Sequence, residues 1–202
     1  MKTKRRIVEM AIQLFNEFGF ANVSLPQLAK ALDISLGNLT YHFPKKDQLV
    51  SRMYTLFQTE LAQITRNYTT LLDIGEMDRQ LREFYRLQQR FRFLYLDLLE
   101  LERAYPKLAA RHFEHIEGQL EGLFKSFKHN VELGYLKPGE EEQYRHLARH
   151  FWMASAFWVF QIAVRGKKGS LKAFTTDVWS TVQPFLTDLG KSTFQRIFYK
   201  SN

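Results

Sequence analysis

The 202-residue chain contains no cysteine. That excludes disulfides, thiolate metal sites and cysteine nucleophiles, and it fits a reducing cytoplasm. Long hydrophobic runs are missing too. The most apolar stretch, Phe151 to Val164, falls short of the roughly 18 residues that suggest a membrane span, and Ser155 and Gln161 interrupt it. The basic start MKTKRR is not followed by a signal-peptide apolar region or a small-residue cleavage site. Strand alternation, repeats and low-complexity segments are absent. So are GxSxG, a glycine-rich phosphate loop after a strand, and HExxH. An enzyme therefore has no motif to stand on, and neither a cofactor nor a membrane partner is expected.

The chain has a formal net charge of +8 and a sequence pI near 9.6. That balance favours an anionic partner, either nucleic acid or an anionic membrane surface. At 45% hydrophobic and 25% charged residues, it is otherwise ordinary for a globular protein. Lys2 to Phe18 reads as an amphipathic helix. Ile7, Met10, Ala11, Leu14, Phe15 and Phe18 recur at spacings of three and four, and Gly19 stands where a helix stops. Lys2, Lys4, Arg5 and Arg6 cluster at its start, where they oppose the helix dipole. A phosphate partner explains them as well as a solvated helix end does.

The stretch from Ser24 to Lys46 organises the rest. Ser24 is an N-cap with Gln27 three residues on, a capping box, and Val23 and Leu28 are placed for a hydrophobic staple. Leu25, Leu28, Ala29 and Leu32 fall at helical spacing. Asp33 and Ile34 form the turn, since Asp tolerates a left-handed backbone. Ser35 is the next N-cap, and Leu36 to Phe43 makes a helix of about two turns that Pro44 ends. Two short helices joined by a short turn are a helix-turn-helix, whose second helix enters the major groove. Leu39 and Phe43 anchor that helix inward, while Asn38, Thr40, Tyr41 and His42 point elsewhere. Gly37 leaves room for close approach, and the helix N-terminus suits a phosphate.

From Lys2 to about Leu56 the sequence resembles the TetR family of bacterial transcription regulators. The residues that carry the resemblance are Ile7 to Phe15, Gly19-Phe20, Val23-Ser24, Leu28-Ala29, Ile34-Ser35, Gly37-Asn38-Leu39, His42-Phe43, Lys46 and Leu49. Two positions depart from the pattern. Thr40 stands where the family usually has tyrosine, so the tyrosine–phosphate contact is either missing or taken over by Tyr41. Asp33 stands where the family often has glycine. The resemblance implies a palindromic double-stranded DNA operator, a homodimer, and a small effector held in an aromatic-lined body. It also implies that the helix after Lys46 links head to body.

The remainder reads as helices. One runs from Lys46 to about Leu72, before a break at Asp73-Ile74-Gly75. Others run from Met77 to Tyr105, from Leu108 to Leu133, from about Glu140 to Arg165 and from Leu171 to Leu186, where Pro184 can cut the last one short. A short helix is expected in the tail, which holds Phe194, Ile197, Phe198 and Tyr199. Phe151 to Val164 is apolar almost all round, so it is buried on more than one side. With the helix after Leu171 it can build a four-helix interface around a two-fold axis. The candidate interface residues are Phe151, Ser155, Trp158, Val159, Ile162, Phe174, Val178, Trp179 and Val182. Candidate polar groups for an effector are Tyr85, Gln88, Tyr95, Gln119 and Gln161. His112 and His115, and His146 and His150, are spaced to share a helix face with Glu114 and Glu142 nearby, but no HExxH is present and exposed histidine pairs are frequent, so no metal site is assigned.

The expectation is thus an all-α fold. A three-helix head covers 1–60, with the helix-turn-helix at about 24–43, and a helical body that dimerises covers 61–202. The function expected is a cytoplasmic, sequence-specific DNA-binding regulator, a repressor released by a small molecule. Asn38, Tyr41 and His42 face base edges or nearby phosphates. Lys4, Arg5, Arg6, Ser24, Thr40 and Lys46 serve the backbone, and Gln27, Ser35, Gly37 and Lys45 complete the DNA-binding set. The alternative is a helical protein that binds a small molecule or protein partner and has only nonspecific DNA affinity.

Overall fold

The apolar spacing of the first seventeen-residue helix, α1 (Lys2–Phe18), buries Ile7, Ala11 and Phe15. The computed structural model describes residues 2–65 and 71–200, and the side chains of 2, 107–114 and 198–200 lie outside that description. The described residues are helical apart from turns, one 3₁₀ turn and an isolated bridge between Leu136 and Leu186. After α1 come α2 (Leu25–Ala31), α3 (Leu36–His42), α4 (Lys46–Ile64), α5 (Ile74–Arg90), α6 (Arg92–Leu96), α7 (Leu98–Ala104) and α8 (Pro106–Glu132). The last four are α9 (Glu141–Ala156), α10 (Trp158–Val164), α11 (Leu171–Ser180) and α12 (Asp188–Lys200).

The chain forms two compact units, residues 1–62 with 87–109 and residues 63–86 with 110–202. The segment 87–109 packs with residues 1–62 in the first unit. The reason is visible in its contacts. The long helix expected from Met77 to Tyr105 is interrupted at Phe91 and at Asp97. At the first interruption Asn16 of α1 donates to the Arg90 carbonyl (2.8 Å) and accepts from Phe93 N–H (2.9 Å). One side-chain amide therefore pairs backbone groups at the break. At the second, the Asp97 carboxylate accepts the Phe20 N–H at 2.9 Å. Arg90 bonds Glu60 of α4 (2.6 Å) and Glu9 of α1 (2.8 Å). Phe15 packs edge-on against Phe20 and Phe93, and Phe57 against Phe91. Burying each such ring is worth roughly 1.5–3 kcal/mol.

The second unit is built around Tyr144, Phe127, Phe174 and Trp179, all fully buried. It also buries polar groups, among them Asp78 and Asn130. Asp78 accepts from Trp179 Nε1 (2.9 Å) and pairs with Arg82 (2.6 Å). Asn130 donates to the Leu72 and Ser126 carbonyls. Asp73 proves to be a helix start rather than a break. It accepts from Glu76 N–H while Glu76 accepts from Asp73 N–H, a reciprocal cap. The helix expected to reach Leu72 stops at Ile64, and residues 66–70 of that expectation lie outside the described residues. The helix expected to reach Arg165 breaks at Phe157, and α11 ends at Ser180, with Pro184 in a 3₁₀ turn at Gln183–Phe185. The tail helix is longer than expected, and the side chains of Phe198 and Tyr199 lie outside the described residues.

Candidate nucleic-acid interface

Two capped helices and a strained turn place α3. Ser24 Oγ accepts the Gln27 N–H (3.4 Å), and Gln27 Oε1 accepts the Ser24 N–H (2.7 Å). Such a cap stabilises a helix start by about 1 kcal/mol. Val23 and Leu28 are both buried beside it, as a staple requires. Asp33 has φ +55°, the one described non-glycine residue with positive φ. Its N–H bonds the Lys30 carbonyl and the Ile34 N–H bonds the Ala29 carbonyl. That pair of bonds is the Schellman arrangement, completed here with aspartate in the left-handed position. Ser35 then caps α3 by accepting the Asn38 N–H at 3.1 Å. Leu39 is fully buried, which locks the roll of α3 and decides what it shows outward.

The outward face consists of Gly37, Asn38 and Tyr41, with Leu36 at its N-terminal edge. Tyr41 is 82% exposed, and its ring meets His42 edge-on. Leu36 is 44% exposed, an apolar member that sequence reasoning did not select because its spacing suits a helix start. Lys4, Arg5, Arg6 and Lys45 are exposed. Arg5 and Arg6 share a surface groove with Asp33 and Gln13.

Other candidates are committed within the chain. Ser24, Gln27 and Ser35 act as caps. The Thr40 hydroxyl donates to the Leu36 carbonyl (2.9 Å), with the Gly37 carbonyl at 3.2 Å, so its hydrogen is not offered to a phosphate. His42 is half-buried. Lys46 is turned inward. Its Nζ donates to the Phe20 carbonyl at 2.6 Å and lies 4.1 Å from the Phe20 ring centre. Burial lowers the Lys46 ammonium below its ordinary value, against the opposing pull of Glu100. A lysine held in this way ties the start of α4 to the end of α1.

The candidate effector residues are divided between the two units. Gln88 and Tyr95 belong to the first unit, and Tyr85, Gln119 and Gln161 to the second. Burial raises the Tyr95 phenol far above its ordinary value, as it raises Tyr85, which packs on Trp158 and Phe174. Gln161 bonds Arg165. Gln119 lines a cavity of the second unit, where it accepts from Trp152 Nε1 at 2.9 Å. Gln80, Thr65 and Ser155 are the other polar linings, among Met77, Leu81, Phe84, Leu123 and Phe151. Its volume is about 40 Å³. Residues paired across 33 positions leave no local pattern for a sequence to show. Among the described residues no cluster of three or more metal-ligating side chains exists, and the side chain of His112 lies outside them. Likewise, no described helix is long and apolar enough to cross a membrane.

The candidate interface residues are mostly buried in the chain's own core. Phe151, Ser155, Trp158, Val159, Phe174, Val178, Trp179 and Val182 are all buried within the chain, and Ile162 is half-buried. All but Ile162 lie in the core of the second unit. The apolar surface of α9–α10 lies on the opposite side, at Met153, Phe157, Phe160 and Val164, each roughly half or more exposed.

Comparison with known proteins agrees with this architecture. The HTH-type transcriptional regulator AcrR of Shigella flexneri is 28% identical over 67 residues, which is 33% of this chain and 31% of that protein. An HTH-type transcriptional regulator of Staphylococcus aureus strain USA300 is 37% identical over 80 residues, 38% of this chain and 43% of that protein. The chain therefore matches well under half the length of these curated relatives. A TetR-family transcriptional regulator from Marinobacter aquaeolei VT8 shares the fold over 99% of this chain and 98% of its own, with a TM-score of 0.85 at 20% identity. CprB from S. coelicolor A3(2) does so over 98% and 96%, with a TM-score of 0.71 at 14% identity. Two family models match in succession, "Bacterial regulatory proteins, tetR family" over residues 7–53 and the TetR "Bacterial transcriptional repressor" model over residues 56–194. Together they span the head and the body, and the chain belongs to the TetR family of bacterial transcriptional regulators.

Proposed function

We propose that the chain is a homodimeric, sequence-specific DNA-binding repressor of the cytoplasm, released when a small molecule occupies the second unit. The observation that carries the reading is the outward face of α3. Gly37, Asn38 and Tyr41 stand clear of the chain on a helix whose ends and roll are fixed by Ser35 and Leu39. A helix-turn-helix reads base edges with the N-terminal residues of its second helix. Lys4, Arg5, Arg6 and Lys45 supply charge for the phosphate backbone.

The second copy docks on α9–α10. Met153, Phe157, Phe160 and Val164 recur at steps of four, three and four, the spacing of a helix–helix seam. Side chains of this size, exposed in a row, mark an interaction surface. The effector enters at the cavity of Gln119 and Trp152. Its lining carries no ionisable group, which selects an uncharged, largely apolar molecule. At about 40 Å³ it is far below the roughly 300–1,000 Å³ of small-molecule sites, so binding opens it. Ile64 lines the cavity and is also the last residue of α4, so an occupant acts on the helix that starts at Lys46. The differential affinity that allostery needs is then an affinity for the opened form.

Selection of bound sequences from random duplex DNA by the full chain, at moderate salt, tests the reading. Enrichment of a two-fold symmetric consensus is expected. Steeply salt-dependent binding with no enrichment would overturn it in favour of nonspecific DNA affinity.

A further inference from the structure

The recognition surface carries no lysine or arginine, and that omission bears on which base pairs it reads. The following rests on the assignment of α3 to the major groove. Leu36 to His42 contains no lysine or arginine, the side chains that read guanine through O6 and N7. Leu39 is buried, the Thr40 hydroxyl is bonded to its own helix, and His42 is half-buried against Tyr41. The exposed short polar side chain near the helix start is Asn38, whose backbone N–H is fixed by Ser35. An asparagine amide offers one donor and one acceptor, the complement of adenine N7 and N6.

Asparagine is short, so the helix must lie deep in the groove for that pair to form. Gly37 permits it. The fold has no need of glycine at this position, because its φ is not in the left-handed region and an added Cβ would meet only Ser35 Oγ, at 3.9 Å. Alanine there would favour the helix, so the missing side chain is useful only to something approaching from outside. Leu36, exposed at the same end, is an apolar group for a thymine methyl.

We propose that α3 reads A·T pairs in each half-site, with Asn38 on the adenine edge, Gly37 allowing the approach and Leu36 against a thymine methyl. The test uses the full chain and a duplex enriched from a random pool. Replacing adenine by 7-deazaadenine removes N7, and replacing thymine by uracil removes the methyl, without touching the protein. One deaza substitution should weaken wild-type binding roughly tenfold and leave Asn38→Ala unaffected. One uracil substitution should weaken the wild type by roughly threefold to tenfold and leave Leu36→Ala unaffected. Gly37→Ala should melt higher than wild type and bind the duplex roughly tenfold more weakly. A consensus read at G·C pairs, or equal deaza losses in wild type and Asn38→Ala, would overturn this inference and leave the regulator assignment intact. Absence of any enrichment would overturn both.

Discussion

The exposed face of α3 and the exposed face of α9–α10 differ in kind. The face of α3 is polar and aromatic, with a gap at Gly37 and no fixed charge. The face of α9–α10 is an unbroken apolar row with no gap and no charge from Met153 to Val164. The first can satisfy hydrogen-bonding edges, as bases present. The second can satisfy another apolar surface, such as the second copy proposed above. In both, neighbouring residues of the same helix are buried and hold the face in register. A buried core thus aims each surface, and the partner is written in what the surface offers and omits.

Substitutions sharpen this contrast, beginning with the largest effect. Phe157→Glu with Phe160→Glu puts two charges on the apolar row of each copy. It should weaken self-association by at least about a thousandfold, read as a fall to monomer mass, while the monomer stays folded. Asp78→Ala acts on the core beneath. It removes the carboxylate shared by Trp179 and Arg82 and should cost about 3–5 kcal/mol in denaturant unfolding. Lys46→Ala separates structural from DNA-binding cations. With its ammonium on the Phe20 carbonyl and ring, loss should cost about 1–2 kcal/mol of stability and leave the salt slope of DNA binding unchanged. A slope flatter by about one unit would return Lys46 to the phosphate contacts. Gly37→Ala should give the smallest effect on the fold, a gain of about 1 kcal/mol, seen as a melting temperature higher by about 2–4 °C.

Local chemistry was legible in the sequence and distant chemistry was not. Ser24 with Gln27, Ser35, Asp33 and the inward pair Leu39 and Phe43 are patterns of a few residues, and each forms as those patterns require. Asp73 with Glu76 is a signal of the same kind that the reading passed over in favour of a break. The interruptions at Phe91 and Asp97 depend on Asn16 and Phe20, more than seventy positions away, so no window of sequence displays them. Lys46 misleads because a post-helix lysine looks solvent-facing until Phe15 and Phe20 fold beneath it. In α9–α10 hydrophobicity runs almost all round the helix, so composition does not say which side is core. Only burial separates Trp158 and Val159 from Phe157 and Phe160.

The account stands on both faces acting together, which the mass and affinity of the DNA complex measure directly. Duplexes carrying one or two selected half-sites, centred about 34–36 Å apart, would be titrated with the full chain while mass in solution is recorded. The account predicts two chains on the two-site duplex and an affinity at least about a hundredfold lower on the single site. One chain per duplex, with equal affinity for one site and two, would contradict it.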